Sequence, residues 1–93
     1  MTSQFTESIA KRIANGHSLK KHGHEFDVCT SDELKDIISV IIKNPTEIKN
    51  LFNERVAYWD SYYKAIVILN PRDADGGTIF KPSRGKLYFD SLM

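Results

Sequence analysis

Between Gly16 and Phe26 the chain reads Gly-His-Ser-Leu-Lys-Lys-His-Gly-His-Glu-Phe, which places His17, His22 and His24 with Lys20 and Lys21 inside eight residues. Leu19 and Phe26 are the only apolar anchors there and Gly23 interrupts, so the segment is expected to be at most a short helix and a turn, too polar for a core. Cleaving a ribose phosphodiester without a metal needs a base for the 2′-hydroxyl, an acid for the leaving 5′-oxygen and cations for the phosphorane. Imidazoles titrate near neutrality and suit the first two tasks, and lysines suit the third. A lone histidine is more often a surface or capping residue, and at least one of these three is expected to be no more than that. Clustering beside lysines singles out His22.

Two rival chemistries use the same stretch. His17, His22, His24 and Cys29 are conceivable zinc ligands, but their spacing matches none of the common ligand patterns and the flanking lysines repel a dication. No metal or other cofactor is therefore expected. A Cys29–His nucleophilic pair is weaker, because Cys29 stands just before a helix cap and reads as a small, semi-buried residue. With one cysteine in the chain, an intramolecular disulfide is excluded.

A second candidate group lies near the other end. In Gly76-Gly77-Thr78-Ile79-Phe80-Lys81, strand alternation puts Thr78 and Phe80 on one face, a hydroxyl and a ring suited to a phosphate and a stacked base. The plainer reading makes Phe80 core and Thr78 a good strand former; it is preferred for Phe80 and weighs evenly for Thr78. Arg72, Lys81, Arg84 and Lys86 lie in or beside loops, from which they reach a phosphate backbone if they converge on His22, and otherwise form a solvated face. Tyr58, Trp59, Tyr62 and Tyr63 are interleaved with Arg55 and Lys64, but such aromatics are more often cross-strand pairs, and Trp59 reads as core.

The elements that must position these groups follow from periodicity. Phe5, Ile9 and Ile13, with Asn15-Gly16 as a stop, predict a helix from about Ser3 to Ala14. Thr30-x-x-Glu33 is a capping box, and Leu34, Ile37, Ile38, Ile41 and Ile42 behind it predict a helix ending before Asn44-Pro45. Pro45–Phe52 reads as a short third helix. Arg55–Asp60 and Lys64–Asn70, rich in Val, Ile and aromatics, predict an antiparallel hairpin. Gly77–Lys81 and Lys86–Phe89 are expected as a third and a fourth strand, separated by the Pro82–Gly85 turn. Helices first and strands second describe an α+β domain, N-terminal helices packed on one face of a four-stranded or larger antiparallel sheet.

Ninety-three residues, 41% hydrophobic and 27% charged, bound this to one globular domain. The apolar runs Ile37–Ile42 and Ala65–Leu69 fall far short of the roughly 20 residues of a bilayer span, so no membrane insertion is expected. Met1–Ala10 lacks the basic-then-apolar layout of a signal peptide, and export would need something outside this chain. The net charge of +1 conceals segregation: no acid lies between Glu7 and Glu25, whereas Glu25, Asp27, Asp32, Glu33 and Asp36 form an acidic middle. The two flanking basic segments either converge into one phosphate-facing patch or remain mixed surface, and charge alone leaves both open.

Taken together, Gly16-His17-x4-His22-x2-Glu25-Phe26, Tyr58-x-Asp60, Val67-x-x-Asn70-Pro71 and Asp75-Gly76-Gly77-Thr78-x-Phe80-x-Pro82 resemble the C-terminal toxin domains of contact-dependent inhibition and related polymorphic toxin systems, which share the fold of barnase, EndoU, the colicin ribonucleases and RelE. The resemblance spans most of the chain. It implies a metal-independent ribonuclease that uses the 2′-OH as internal nucleophile, leaves a cyclic phosphate and a 5′-hydroxyl, cleaves tRNA in or near the anticodon loop, and is blocked by a cognate immunity protein. It also implies export as the tip of a larger bacterial surface protein, action in the target-cell cytoplasm and room for a host translation factor that presents the tRNA. On the family's motif, His22 becomes the general base or acid, Lys21 a phosphate contact, Thr78 the hydroxyl of the third strand and Phe80 the aromatic after it, with His17 as a second histidine or a bystander. Lys20, Arg72, Lys81, Arg84 and Lys86 are expected to bind substrate. Two other functions fit the same residues: a non-catalytic RNA- or protein-binding module, and a RelE-like ribosome-dependent nuclease, against which the near-neutral charge argues mildly.

Overall fold

The capping box forms as its spacing requires. In the computed structural model, which describes residues 3–93, the Thr30 hydroxyl accepts from the Glu33 amide at 3.2 Å while the Glu33 carboxylate accepts from the Thr30 amide at 3.2 Å. These bonds start helix α3 (Ser31–Lys43), whose Leu34, Ile38, Ile41 and Ile42 are buried. Helix α1 (Ser3–Ile13) lies against it. The buried stripe of α1 is Thr6, Ala10 and Ile13, and Phe5, expected on that stripe, is half exposed.

Four strands, β1 (Glu47–Asn50), β2 (Val56–Asp60), β3 (Ala65–Leu69) and β4 (Gly77–Phe80), form an antiparallel meander in the order β1-β2-β3-β4. Tyr58 pairs with Val67 and Val67 with Ile79. These three, with Ala65, join the core beneath α1 and α3. Alternation sends Ala57, Trp59 and Ile66 to the opposite face, where they bury Phe89 of a last helix, α4 (Lys86–Ser91). The molecule is thus α+β as expected, with N-terminal helices on a four-stranded antiparallel sheet, but helices cover parts of both faces rather than one.

Two elements differ from the sequence expectation. Pro45–Phe52 is not a helix: Glu47–Asn50 is edge strand β1, followed by a 3-10 turn at Phe52–Glu54. Ile48, Leu51 and Phe52 mimic helical spacing, yet only Leu51 is buried, and Asn53 and Glu54 both take positive φ, which ends any helix. Conversely, Lys86–Phe89 is helical, because one large side chain, Phe89, suffices to dock that turn against Trp59 and Ile66. The strand count is preserved by these two exchanges.

Gly77 is required by the close approach of β4 to β3. Its φ is +145°, and a Cβ there would stand 1.9 Å from the Ile68 carbonyl oxygen. Asp60 closes the β2–β3 connection by accepting from the Tyr63 amide at 2.8 Å. Among the described residues no helix is long and apolar enough to cross a membrane.

Candidate acid-base site along strand β4

Strand β4 is an edge of the sheet, and the histidine-rich segment lies alongside it. Four consecutive couplings tie residues 17–25 to residues 75–81, in the same order along both. The His17 amide donates to Asp75 Oδ2 at 3.2 Å, and the His17 ring pairs with the same oxygen through Nδ1. Ser18 Oγ lies 3.4 Å from Thr78 Oγ1. The His22 ring stands 6.1 Å, centroid to centroid, from that of Phe80, tilted by 42°. Glu25 then bridges, one carboxylate oxygen pairing with His22 Nδ1 and the other accepting from the Lys81 amide at 2.8 Å.

Local sequence explains why the segment can lie so close. Beyond α1 the chain continues through the turn Ala14–Ser18, which is kinked at Gly16, whose backbone is non-helical (φ −79°, ψ −151°). A Cβ at that position would meet Asp75 Cγ at 2.5 Å, so only glycine lets the carboxylate reach His17. The chain then makes one helical turn, α2 (Leu19–His22), and a 3-10 turn, Gly23–Phe26, which brings Glu25 three residues behind His22 and onto its ring. On the strand side, the loop before β4 is fixed by the Asp75 amide donating to Asp73 Oδ1 at 2.9 Å. The Arg12 guanidinium also donates to the carbonyls of Asp73 and Ala74 at 3.0–3.3 Å.

The electrostatics favour charged carboxylates beside both rings. Hydrogen bonds from the His17 side chain and amide hold the Asp75 carboxyl below the usual aspartate range. Burial pushes the Glu25 carboxyl up, but bonds from His22 and the Lys81 amide outweigh it and the net shift is downward. An imidazole whose Nδ1 donates to a carboxylate presents its Nε2 lone pair, the arrangement of a general base. Among the described residues there are two such histidine–carboxylate pairs. His17 is the more open, its side chain 47% exposed, whereas His22 and Glu25 are each 22% exposed.

The remaining candidates divide. Thr78 and Phe80 are in the row, and Phe80 is partly buried, packed against the core under α4 while its ring also meets His22 and Tyr88. Lys81 is exposed, its ammonium 5.0 Å over the Phe26 ring beside the Glu25 bridge. Lys20 and Lys21 are exposed on α2. Arg72 and Arg84 are exposed in the loops on either side of β4. Lys86 does not join the row: its ammonium pairs with Asp90 at 2.8 Å and Glu47 at 3.4 Å, on the β1 side of the sheet. The two basic segments therefore converge only in part. His24 is exposed on the 3-10 turn. Cys29 is exposed rather than semi-buried, because the capping box holds its amide on Glu33 at the mouth of α3.

Glu25 and Asp75 belonged to the sequence motif without a role, and the structure makes them the partners of the two histidines. The His-x-x-Glu spacing carried a signal for Glu25, since residues three apart meet on a helical turn. Asp75 had none, because its partner lies 58 residues away. Among the described residues no three or more His, Cys, Asp or Glu side chains gather as a group that could hold a metal ion. No protein-family model matches the chain and no curated protein matches it.

Proposed function

We propose that this chain is a ribonuclease toxin domain that cleaves RNA, with tRNA as substrate, by transphosphorylation. The observation that carries the reading is the row itself: two carboxylate-held imidazoles on either side of a hydroxyl, with an aromatic ring beside the second. His22, oriented by Glu25, takes the proton of the ribose 2′-OH. The 2′-oxygen attacks the adjacent phosphorus, the P–O5′ bond breaks, and a protonated His17, held by Asp75, delivers the proton to the leaving 5′-oxygen. The products are a 2′,3′-cyclic phosphate and a 5′-hydroxyl, and no metal takes part in any step. Thr78 and Lys21 steady the phosphorane, and Phe80 offers a face to a base. Arg72, Lys81 and Arg84 lie where a phosphate backbone passing along β4 would meet them.

The resemblance of the motif supports the wider setting: a domain carried as the tip of a larger exported protein, active in a target cell, presented with tRNA by a host translation factor, and silenced by an immunity protein. The test is incubation of the purified domain with total bacterial RNA in excess EDTA, beside His22→Ala. The reading expects tRNA-derived fragments with cyclic-phosphate ends, reduced about 10²–10⁴-fold in the variant. Fragments that appear only when ribosomes and mRNA are supplied would favour a ribosome-dependent nuclease, and RNA retained but uncut would favour a binding module.

A further inference from the structure

A cavity of about 500 Å³ opens between the Gly16 turn, α2 and the start of α3, on residues distinct from the four couplings. It is of the size that takes a small organic ligand. Its lining residues combine the aliphatic Leu19 and Val28 with the polar Asn15 and Ser31, and Lys20 is the only charged one among them. Gly16 is shared: the cavity lies on this glycine, and Asp75, the partner of His17, is pressed against the same residue. Gly16 is thus the one residue that links the cavity to the His17–Asp75 pair.

We infer that this cavity is a nucleotide subsite, binding the base and phosphate of a residue flanking the cleaved bond. The chemistry of the lining fits that class. Leu19 and Val28 present apolar surface to a base plane, and the Asn15 amide carries one donor group and one acceptor, which match the edge of a base. Lys20 supplies the point charge for the phosphate. A purely anionic ligand would have no use for the aliphatic wall, and a purely apolar one would leave Lys20 and Asn15 unpartnered. The inference rests on the ribonuclease reading, since it is RNA passing along β4 that would deliver a nucleotide to this place.

Cys29 lines the cavity and is exposed, so it reports occupancy without reference to catalysis. The experiment follows the rate of Cys29 alkylation by iodoacetamide in the whole chain, with each of the four 5′-mononucleotides and with inorganic phosphate, at millimolar concentrations. At least one mononucleotide is expected to slow alkylation threefold or more, phosphate alone to leave it unchanged, Lys20→Ala and Asn15→Ala each to weaken the protection, and His22→Ala to retain it. Lys20 and Asn15 are both exposed, so neither variant threatens the fold. Absence of protection by all four nucleotides, equal protection by phosphate, or protection undiminished in the Lys20→Ala, Asn15→Ala double variant overturns the subsite. Protection in a chain that cuts no RNA would show a nucleotide site but overturn its place beside a cleaved bond, together with the nuclease reading; cutting without protection overturns the subsite and leaves the nuclease reading standing.

Discussion

Glu25 accepts the backbone amide of Lys81 across 56 residues of sequence, while its second oxygen holds the imidazole of His22. One carboxylate therefore joins the histidine turn to the end of β4 and sets the orientation of the ring.

Replacing Glu25 by Gln keeps a hydrogen-bonding side chain but removes its charge. Because the folded-state pKa of Glu25 lies below its unfolded value, the carboxylate contributes stability that is fully present above the unfolded value of about 4.5 and is lost as pH falls through the lowered folded value. Glu25→Gln is expected to be less stable than the parent chain at pH 7, with the difference closing on acidification below that range. Urea melts at a series of pH values measure this, and a difference that stays constant down to pH 2 would refute the charged bridge. RNA cleavage at pH 7 is expected to fall at least about tenfold through loss of the oriented imidazole.

Gly16→Ala places a methyl group into Asp75. A misfit of this kind costs about 1–3 kcal/mol when backbone or side chain must shift. Asp75 is the side chain that must move, and His17 then loses its carboxylate. Thermal melts and cleavage assays should show both losses together. Full activity in Gly16→Ala would mean that the His17–Asp75 pair has no part in the chemistry.

Phe89→Ala tests the second layer. Its ring is fully buried between α4 and the sheet, 6.3 Å from the Trp59 ring centroid to centroid. Truncation of a buried phenylalanine costs about 3–5 kcal/mol. Denaturant unfolding monitored by Trp59 fluorescence is expected to show that loss; a change under about 1 kcal/mol would mean that α4 does not dock where it is described.

Thr30→Ala removes the cap of α3. The expected loss is about 1 kcal/mol. The carboxyl of Glu33 is held below its usual range, first by the Thr30 side chain and then by the Cys29 amide. The part of the cap in which the Thr30 hydroxyl donates to the Glu33 carboxylate should therefore fade as pH drops through that lowered value, so the gap between the parent and Thr30→Ala chains should narrow in acid without closing, because the Glu33 amide still donates to the Thr30 hydroxyl. Retention of the full difference in acid would show that Glu33 takes no part in the cap.

The sequence revealed α3 and the β2–β3 hairpin well, because a capping box with a helical apolar stripe and two runs of β-branched and aromatic residues are signals contained within each element. It misread Glu47–Asn50 and Lys86–Phe89. In both cases a few residues carry the pattern, and the neighbour they pack on decides the outcome: β2 recruits an edge strand, and the Trp59 face recruits a helical turn. Within the site, His22, Thr78 and Phe80 were legible as chemical types and His22–Glu25 as a spacing. That His17 is held by Asp75, and that Lys86 is drawn away by Glu47 and Asp90, depends on residues distant in the chain and has no local trace.

The four couplings along β4 have a consequence for how the molecule comes into being. His17–Asp75, Ser18–Thr78 and Glu25–Lys81 each close a loop of 56 to 60 residues, so their ordering entropy must be met by the packing of the whole sheet. During synthesis all three histidines leave the ribosome long before β4 does. A nascent or truncated chain ending at Asn70 would hold every imidazole and lack Asp75, Thr78, Phe80 and Lys81. The row is assembled only when β4 docks beside the histidine segment, so any reactivity it has follows the folding of the sheet and not the synthesis of the imidazoles.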